Sequence, residues 1–189
     1  MRTDIRKQQG FTLPELLITL AIGVALMTLG IGGFMAMAKT ARADGGLAEA
    51  MGAIEYAREM AVSQRRNMQL VFTDPNTISI VRVNLTGDPT TTMKTVSLPG
   101  RVEFRTFPSV PDTRLLFGKP GVGGVSFGSK TPVMYTTDGS FLNSDGDITN
   151  GTLFLGVVNE SVSARAITIF GATGALTAWI WDGRQWNER

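Results

Sequence analysis

One long apolar run, Phe11–Ala38, dominates what this chain can become, and it holds a single ionisable side chain, Glu15. About 20 apolar residues rising ~1.5 Å each suffice to cross a bilayer, so the run is long enough to do so. A carboxylate inside such a segment is costly and needs a partner, which makes Glu15 a functional residue on physical grounds. Its position near one end of the run also lets it snorkel to the headgroups. Pro14 falls in the first turn of the expected helix, where its missing N–H has no partner to lose. Ahead of the run lies a short leader, residues 1–10, with Arg2, Arg6 and Lys7 against Asp4. Such a basic flank stays on the cytoplasmic side.

The segment Gly10-Phe11-Thr12-Leu13-Pro14-Glu15-Leu16-Leu17 resembles the class III signal of type IV prepilins and type II secretion pseudopilins. The resemblance implies that a membrane-embedded prepilin peptidase cuts between Gly10 and Phe11 and methylates the new N-terminus. Glu15 then becomes the fifth residue of the mature chain. It also implies single-pass insertion in a bacterial inner membrane, with the C-terminal part in the periplasm. The implied partners are other pilins or pseudopilins and an inner-membrane assembly platform. The chemistry is coherent. Cleavage creates a cationic α-amine at Phe11 that packing subunits would bury, and a neighbouring Glu15 would neutralise it. Buried charges persist only when paired and hydrogen-bonded.

A secretory signal peptide is the rival reading. Ala36-Met37-Ala38 and Ala41-Arg42-Ala43 both offer A-x-A cleavage patterns, and a soluble secreted β-domain would follow. Against it, the apolar stretch far exceeds the usual 7–15 residues and contains a glutamate.

The 189 residues allow one membrane helix and one modest globular domain. The leader's three basic residues and one acidic residue account for the whole net charge of +2, leaving 15 against 15 beyond it. A neutral remainder argues against broad attraction to nucleic acid. There are no cysteines and no histidines, which removes disulfides, Cys/His and Ser/His/Asp triads and nearly all zinc sites. No cofactor is expected, and no catalytic constellation is present.

Beyond the run, Leu47, Met51, Ile54, Ala57 or Arg58, and Ala61 recur at spacings of three and four, an amphipathic continuation of the helix over 39–66. Glu49, Glu55, Glu59 and Arg65 mark the opposite face. Gly45-Gly46 interrupts the pattern, and Gly30, Gly32 and Gly33 soften the first half, as bending points or as places of close packing. From Asn67 the period changes to two. Strands are expected at Met68–Thr73, Thr77–Asn84, Met93–Leu98, Arg101–Phe107, Val122–Phe127, Val133–Thr137, Thr152–Val158, Ala164–Phe170 and Ala175–Trp181, separated by Asp/Pro/Asn/Gly turns. The expected class is α+β: a long N-terminal helix packed on an antiparallel β-sheet sandwich that fills 67–189.

The order of a long helix, a strand hairpin, Met134-Tyr135-Thr136-Thr137-Asp138-Gly139, and a final Ala166-Ile167-Thr168-Ile169 strand followed by Thr173-Gly174 resembles the GspH/FimT group. That group comprises H-type pseudopilins and FimU- and FimT-like minor pilins. Some FimT-like members take up DNA through a Gly-Arg-x-Arg motif after the last strand turn. The corresponding stretch here, Thr173-Gly174-Ala175-Leu176-Thr177, has no arginine, which counts against that role. Arg184 between Trp181 and Trp186 offers a base-stacking arrangement, with a strand edge packed by tryptophans as the simpler reading. Gly123 and Gly128-Ser129-Lys130-Thr131 nearly spell a phosphate loop but lack its Gly-Lys-Thr. Asn143, Asp145 and Asp147 are oxygen ligands of a kind suited to calcium, although an Asx-capped turn explains them as well.

Overall fold

The computed structural model describes residues 11–84, 89–120, 123–128 and 132–189, without the side chains of 28–36. Gly10, the Gly87-Asp88 turn, Val122 and Ser129-Lys130-Thr131 lie outside the described residues. The chain divides into two compact units, Met1–Ala38 and Lys39–Arg189.

The helix, α1, covers Leu13–Gln64 and runs through Gly45-Gly46 without the expected interruption. Gly46 explains itself by packing: a Cβ there would stand 2.8 Å from Val102 Cγ1, so the helix and the strand bearing Val102 approach too closely for any side chain. Within the second unit the helix buries Ala43, Leu47, Ala50, Ile54, Ala57 and Ala61, a stripe alternating spacings of four and three. Ala57 points inward and Arg58 outward, which decides the one ambiguous position of the stripe. The helix ends without glycine or proline. Arg65 takes φ 51°, and the Arg66 N–H donates to the Ala61 carbonyl at 3.2 Å, the Schellman closure of a last turn.

Two antiparallel sheets follow. The first is ordered β3-β2-β1-β6-β7 and is built from β1 (Met68–Thr73), β2 (Thr77–Arg82), β3 (Thr91–Ser97), β6 (Val133–Tyr135) and β7 (Phe141–Leu142). The second is ordered β11-β10-β9-β8-β4, from β4 (Val102–Phe104), β8 (Gly151–Val157), β9 (Arg165–Phe170), β10 (Ala175–Trp181) and β11 (Trp186–Glu188). The short β5 (Val125–Ser126) also pairs with β8. The expected strand over Arg101–Phe107 stops at Phe104 because β4 and β5 divide one edge of β8. Val102–Phe104 take Val157–Leu155, and Val125–Ser126 take Leu153–Thr152. β7 and β11, two and three residues long, are too short to show a period and were not expected.

The α1 stripe shares one core with Leu70, Ile78, Ile80 and Tyr135 of the first sheet and Leu153, Leu155, Ile167 and Ile169 of the second. An aromatic chain ties the sheets together. Phe72 meets Phe104 at 5.8 Å and Phe127 at 5.3 Å, and Phe141 meets Phe127 at 5.4 Å and Tyr135 at 4.9 Å. Strand alternation sends Phe154, Ala166, Trp179 and Trp181 to the other face of the second sheet, where a second cluster forms with Phe107, Val110 and Trp186.

Candidate functional site

The N-terminus of α1 is built by Thr12-Leu13-Pro14-Glu15. Leu16 N–H donates to the Thr12 carbonyl at 3.1 Å, which makes Thr12 the residue before the first turn. Glu15 Oε2 lies 3.5 Å from both the backbone N–H and the hydroxyl of Thr12. A Thr-x-x-Glu box of this kind turns the carboxylate back over the orphan donors of a helix start, and at 3.5 Å both contacts are long. The sequence reading placed Glu15 but overlooked the box, although Thr12 three residues before it was the signal. Phe11 is 80% exposed, Leu13 75% and Leu16 58%. The whole surface of this turn is therefore open to a surrounding phase, and Glu15 reaches the first peptide nitrogen beyond Phe11. Gly10, the other expected processing residue, is outside the described residues. Among the described residues no helix is long and apolar enough to cross a membrane; the side chains of 28–36, in the middle of the expected span, are not described.

In the second unit, the Met134–Gly139 segment forms a structural junction. Tyr135 is fully buried, and its O–H donates to the Gly174 carbonyl at 3.3 Å. Burial pushes its phenol well above the usual range, Arg58 pulls against that, and Glu55 adds to it. Asp138 accepts the N–H of Ser140 at 3.0 Å, the Ser140 hydroxyl at 2.8 Å and the Thr136 hydroxyl. The Thr136 hydroxyl first, and then the two Ser140 donors, hold its carboxyl down at about 2. Arg58 Nη2 donates to the Thr173 carbonyl at 3.0 Å. The stretch aligned with the DNA-binding motif is thus occupied by backbone contacts to α1 and β6.

The tryptophans are spent on packing. Trp181 and Trp186 meet edge-on at 5.5 Å and are 7% and 2% exposed. Trp186 Nε1 donates to the Pro111 carbonyl at 3.0 Å and Trp179 Nε1 to Thr168 Oγ1 at 2.9 Å. Neither ring beside Arg184 presents a face for a base. The proposed oxygen ligands form an Asx turn: Asn143 Oδ1 accepts the N–H groups of Asp145 at 2.9 Å and Asp147 at 3.0 Å. Among the described residues no group of three or more acidic side chains is placed to hold a metal.

Sequence reasoning missed two ion pairs from α1, one to the β8–β9 turn and one to the first residue of β9. Arg165 is 1% exposed. Its Nε donates to Asp44 Oδ1 at 2.8 Å, and its Nη1 to the Val162 and Ala164 carbonyls at 3.2 and 2.9 Å. Lys39 pairs with Glu160. Partners 121 residues apart leave no local signal.

Residues 5–31 match the family described as the prokaryotic N-terminal methylation motif. No curated protein matches the chain. Two crystal structures of the type IV minor pilin FimU of Pseudomonas aeruginosa (strain PAO1) are similar to it. One, in space group P21, is 17% identical, covers 75% of this chain and 88% of that one, and has a TM-score of 0.46. The other, in space group P65, is 18% identical, covers 73% and 90%, and has a TM-score of 0.45. Over residues 5–31, this chain is similar to the N-terminal methylation segment of type IV prepilins.

Proposed function

We propose that the chain is a structural subunit, a minor pilin or an H-type pseudopilin of a type II secretion system. It would be held in a bacterial inner membrane by Phe11–Ala38, with the Lys39–Arg189 unit in the periplasm, and then drawn into a filament or its tip. The observation that carries this reading is the methylation motif over residues 5–31, with Glu15 as the only charge in the apolar run. Prepilin peptidase would cut between Gly10 and Phe11 and methylate the Phe11 amine. The Glu15 carboxylate, carried on an exposed first turn, would then neutralise the Phe11 amine of a neighbouring subunit as both leave water. Its partners would be other pilins or pseudopilins and the assembly platform, with lipid covering the helix before assembly.

The test is Glu15→Gln in the native host. Membrane insertion should be unchanged, while the amount of this subunit in sheared filaments should fall sharply, because a buried amine loses its counter-charge. Wild-type incorporation of Glu15→Gln would show that the pairing plays no part.

A further inference from the structure

We propose that one end of the Lys39–Arg189 unit is a docking surface for anionic lipid headgroups, made by Arg42 and Arg101 beside the exposed Val162. The inference rests on the membrane span proposed above for Phe11–Ala38. Lys39 follows that run directly, and Arg42 stands only ~6 Å beyond Ala38 along α1. That is within the ~8 Å over which an anionic surface is felt at physiological salt.

Packing brings two turns to this end. An ideal Cβ at Gly100 would meet Cγ and Cδ of Arg42 at 3.2 and 3.3 Å, so the Arg42 stem lies along the turn that carries Arg101. Val102 pairs with Val157, which sets Arg101 beside the end of β8, where the turn bearing Glu160, Ser161 and Val162 begins. Lys39 pairs with Glu160 and holds that turn to the helix. Arg42 and Arg101 are exposed, and among the described residues neither has a carboxylate within ion-pair distance. The acids nearby are taken: Glu160 by Lys39, Asp44 by Arg165, and Glu103 by Arg105 at 3.5 Å. Two uncompensated guanidinium groups remain, and their geometry suits phosphate.

The turn itself is strained to present one of them. Arg101 takes φ 67° directly after Gly100 at φ 64°, a conformation that favours glycine or asparagine. The Val102 N–H closes the turn on the Pro99 carbonyl at 3.2 Å. The exposed Arg101 side chain repays none of this strain by packing, and strain of that kind collects at functional positions. Val162, 56% exposed, gives the same end an apolar side chain to set among headgroups. Each cation at an anionic surface raises the docked-to-free ratio about fivefold. Docking of this kind holds the unit against the bilayer until the helix leaves it.

The chain has no cysteine, so a fluorophore on Ser161→Cys reports this end alone. One on Ser63→Cys, exposed and ~36 Å further along α1 than Lys39, is the control. The full chain is reconstituted in phosphatidylcholine vesicles, with or without phosphatidylglycerol, that contain a headgroup-nitroxide lipid as quencher. Quenching at position 161 should rise with phosphatidylglycerol, and quenching at position 63 should stay flat. Arg42→Gln with Arg101→Gln should abolish the rise, a fall of about 25-fold in the docked-to-free ratio. Arg42→Lys with Arg101→Lys should restore it. Inorganic phosphate should leave the phosphatidylglycerol response in place; its suppression by phosphate would mark a site for the free anion and overturn the proposal. Quenching at position 161 that ignores phosphatidylglycerol, or a rise that survives the double glutamine change, would overturn it while the span stands. A chain that carbonate strips from the vesicles would overturn the span, and the docking with it.

Discussion

Truncating Ile54 to alanine tests whether the second half of α1 belongs to the core of the globular unit. Ile54 is fully buried, and the change removes three methyl or methylene groups at about 0.8 kcal/mol each. The cavity left between helix and sheets raises the cost, for about 3–4 kcal/mol in all. For a unit of this size that lowers the melting temperature by roughly 6–16 °C. Urea unfolding of the full chain in detergent gives the free energy directly, and the buried Trp179, Trp181 and Trp186 serve as the fluorescence probe. They sit in the second cluster, so a loss seen there also shows that the two clusters unfold together. Glu59→Ala, on the exposed face, should change stability by no more than about 0.5 kcal/mol. A cost for Ile54→Ala below about 1 kcal/mol would refute the placement of α1 on the sheets, since no buried isoleucine is that cheap to remove.

Gly174 takes φ 64°, and a Cβ there would lie 2.0 Å from the Gly139 carbonyl and 2.8 Å from Tyr135 Cε1. Gly174→Ala should therefore cost more than Gly183→Ala, where φ is 99° and nothing stands within 4 Å. Gly183→Ala carries only the ~1–2 kcal/mol left-handed penalty, and equal urea midpoints would remove the steric argument. Tyr135 is held protonated in the folded chain by burial, so its contribution is complete below the unfolded phenol value of about 10 and is lost as pH rises above it. Tyr135→Phe should flatten the alkaline limb of a stability–pH curve while costing about 1 kcal/mol or less at neutral pH, because its hydrogen bond is long; an unchanged alkaline limb would count against the burial.

Much of the architecture is legible because alternation is a local signal. Met68–Thr73 and Ala175–Trp181 read as strands, and their bounds are those of β1 and β10. The α1 stripe is legible for the same reason, apart from the choice between Ala57 and Arg58, which depends on the exact phase of the helix. What escaped is non-local. Gly46 reads as a break in the helix because nothing near it in sequence reveals Val102 across the gap. Arg165 alternates with Ile167 and Ile169 on the core side of its strand, and only the fold brings Asp44 to it. The helix stop at Arg65 lacks the glycine that usually signals a left-handed residue. Around the N-terminal site, Glu15 stood out as an isolated charge, whereas its contact with Thr12 required noticing a three-residue spacing inside a run read for apolarity.

The central claim is that proteolysis after Gly10 makes a cation for Glu15 to answer. Intact-mass and N-terminal sequencing of the protein purified from its own host's membranes tests it directly. The account predicts a chain beginning at methylated Phe11, and a Gly10→Val variant that keeps residues 1–10. A wild-type product that starts at Met1, Lys39 or Asp44 would contradict it.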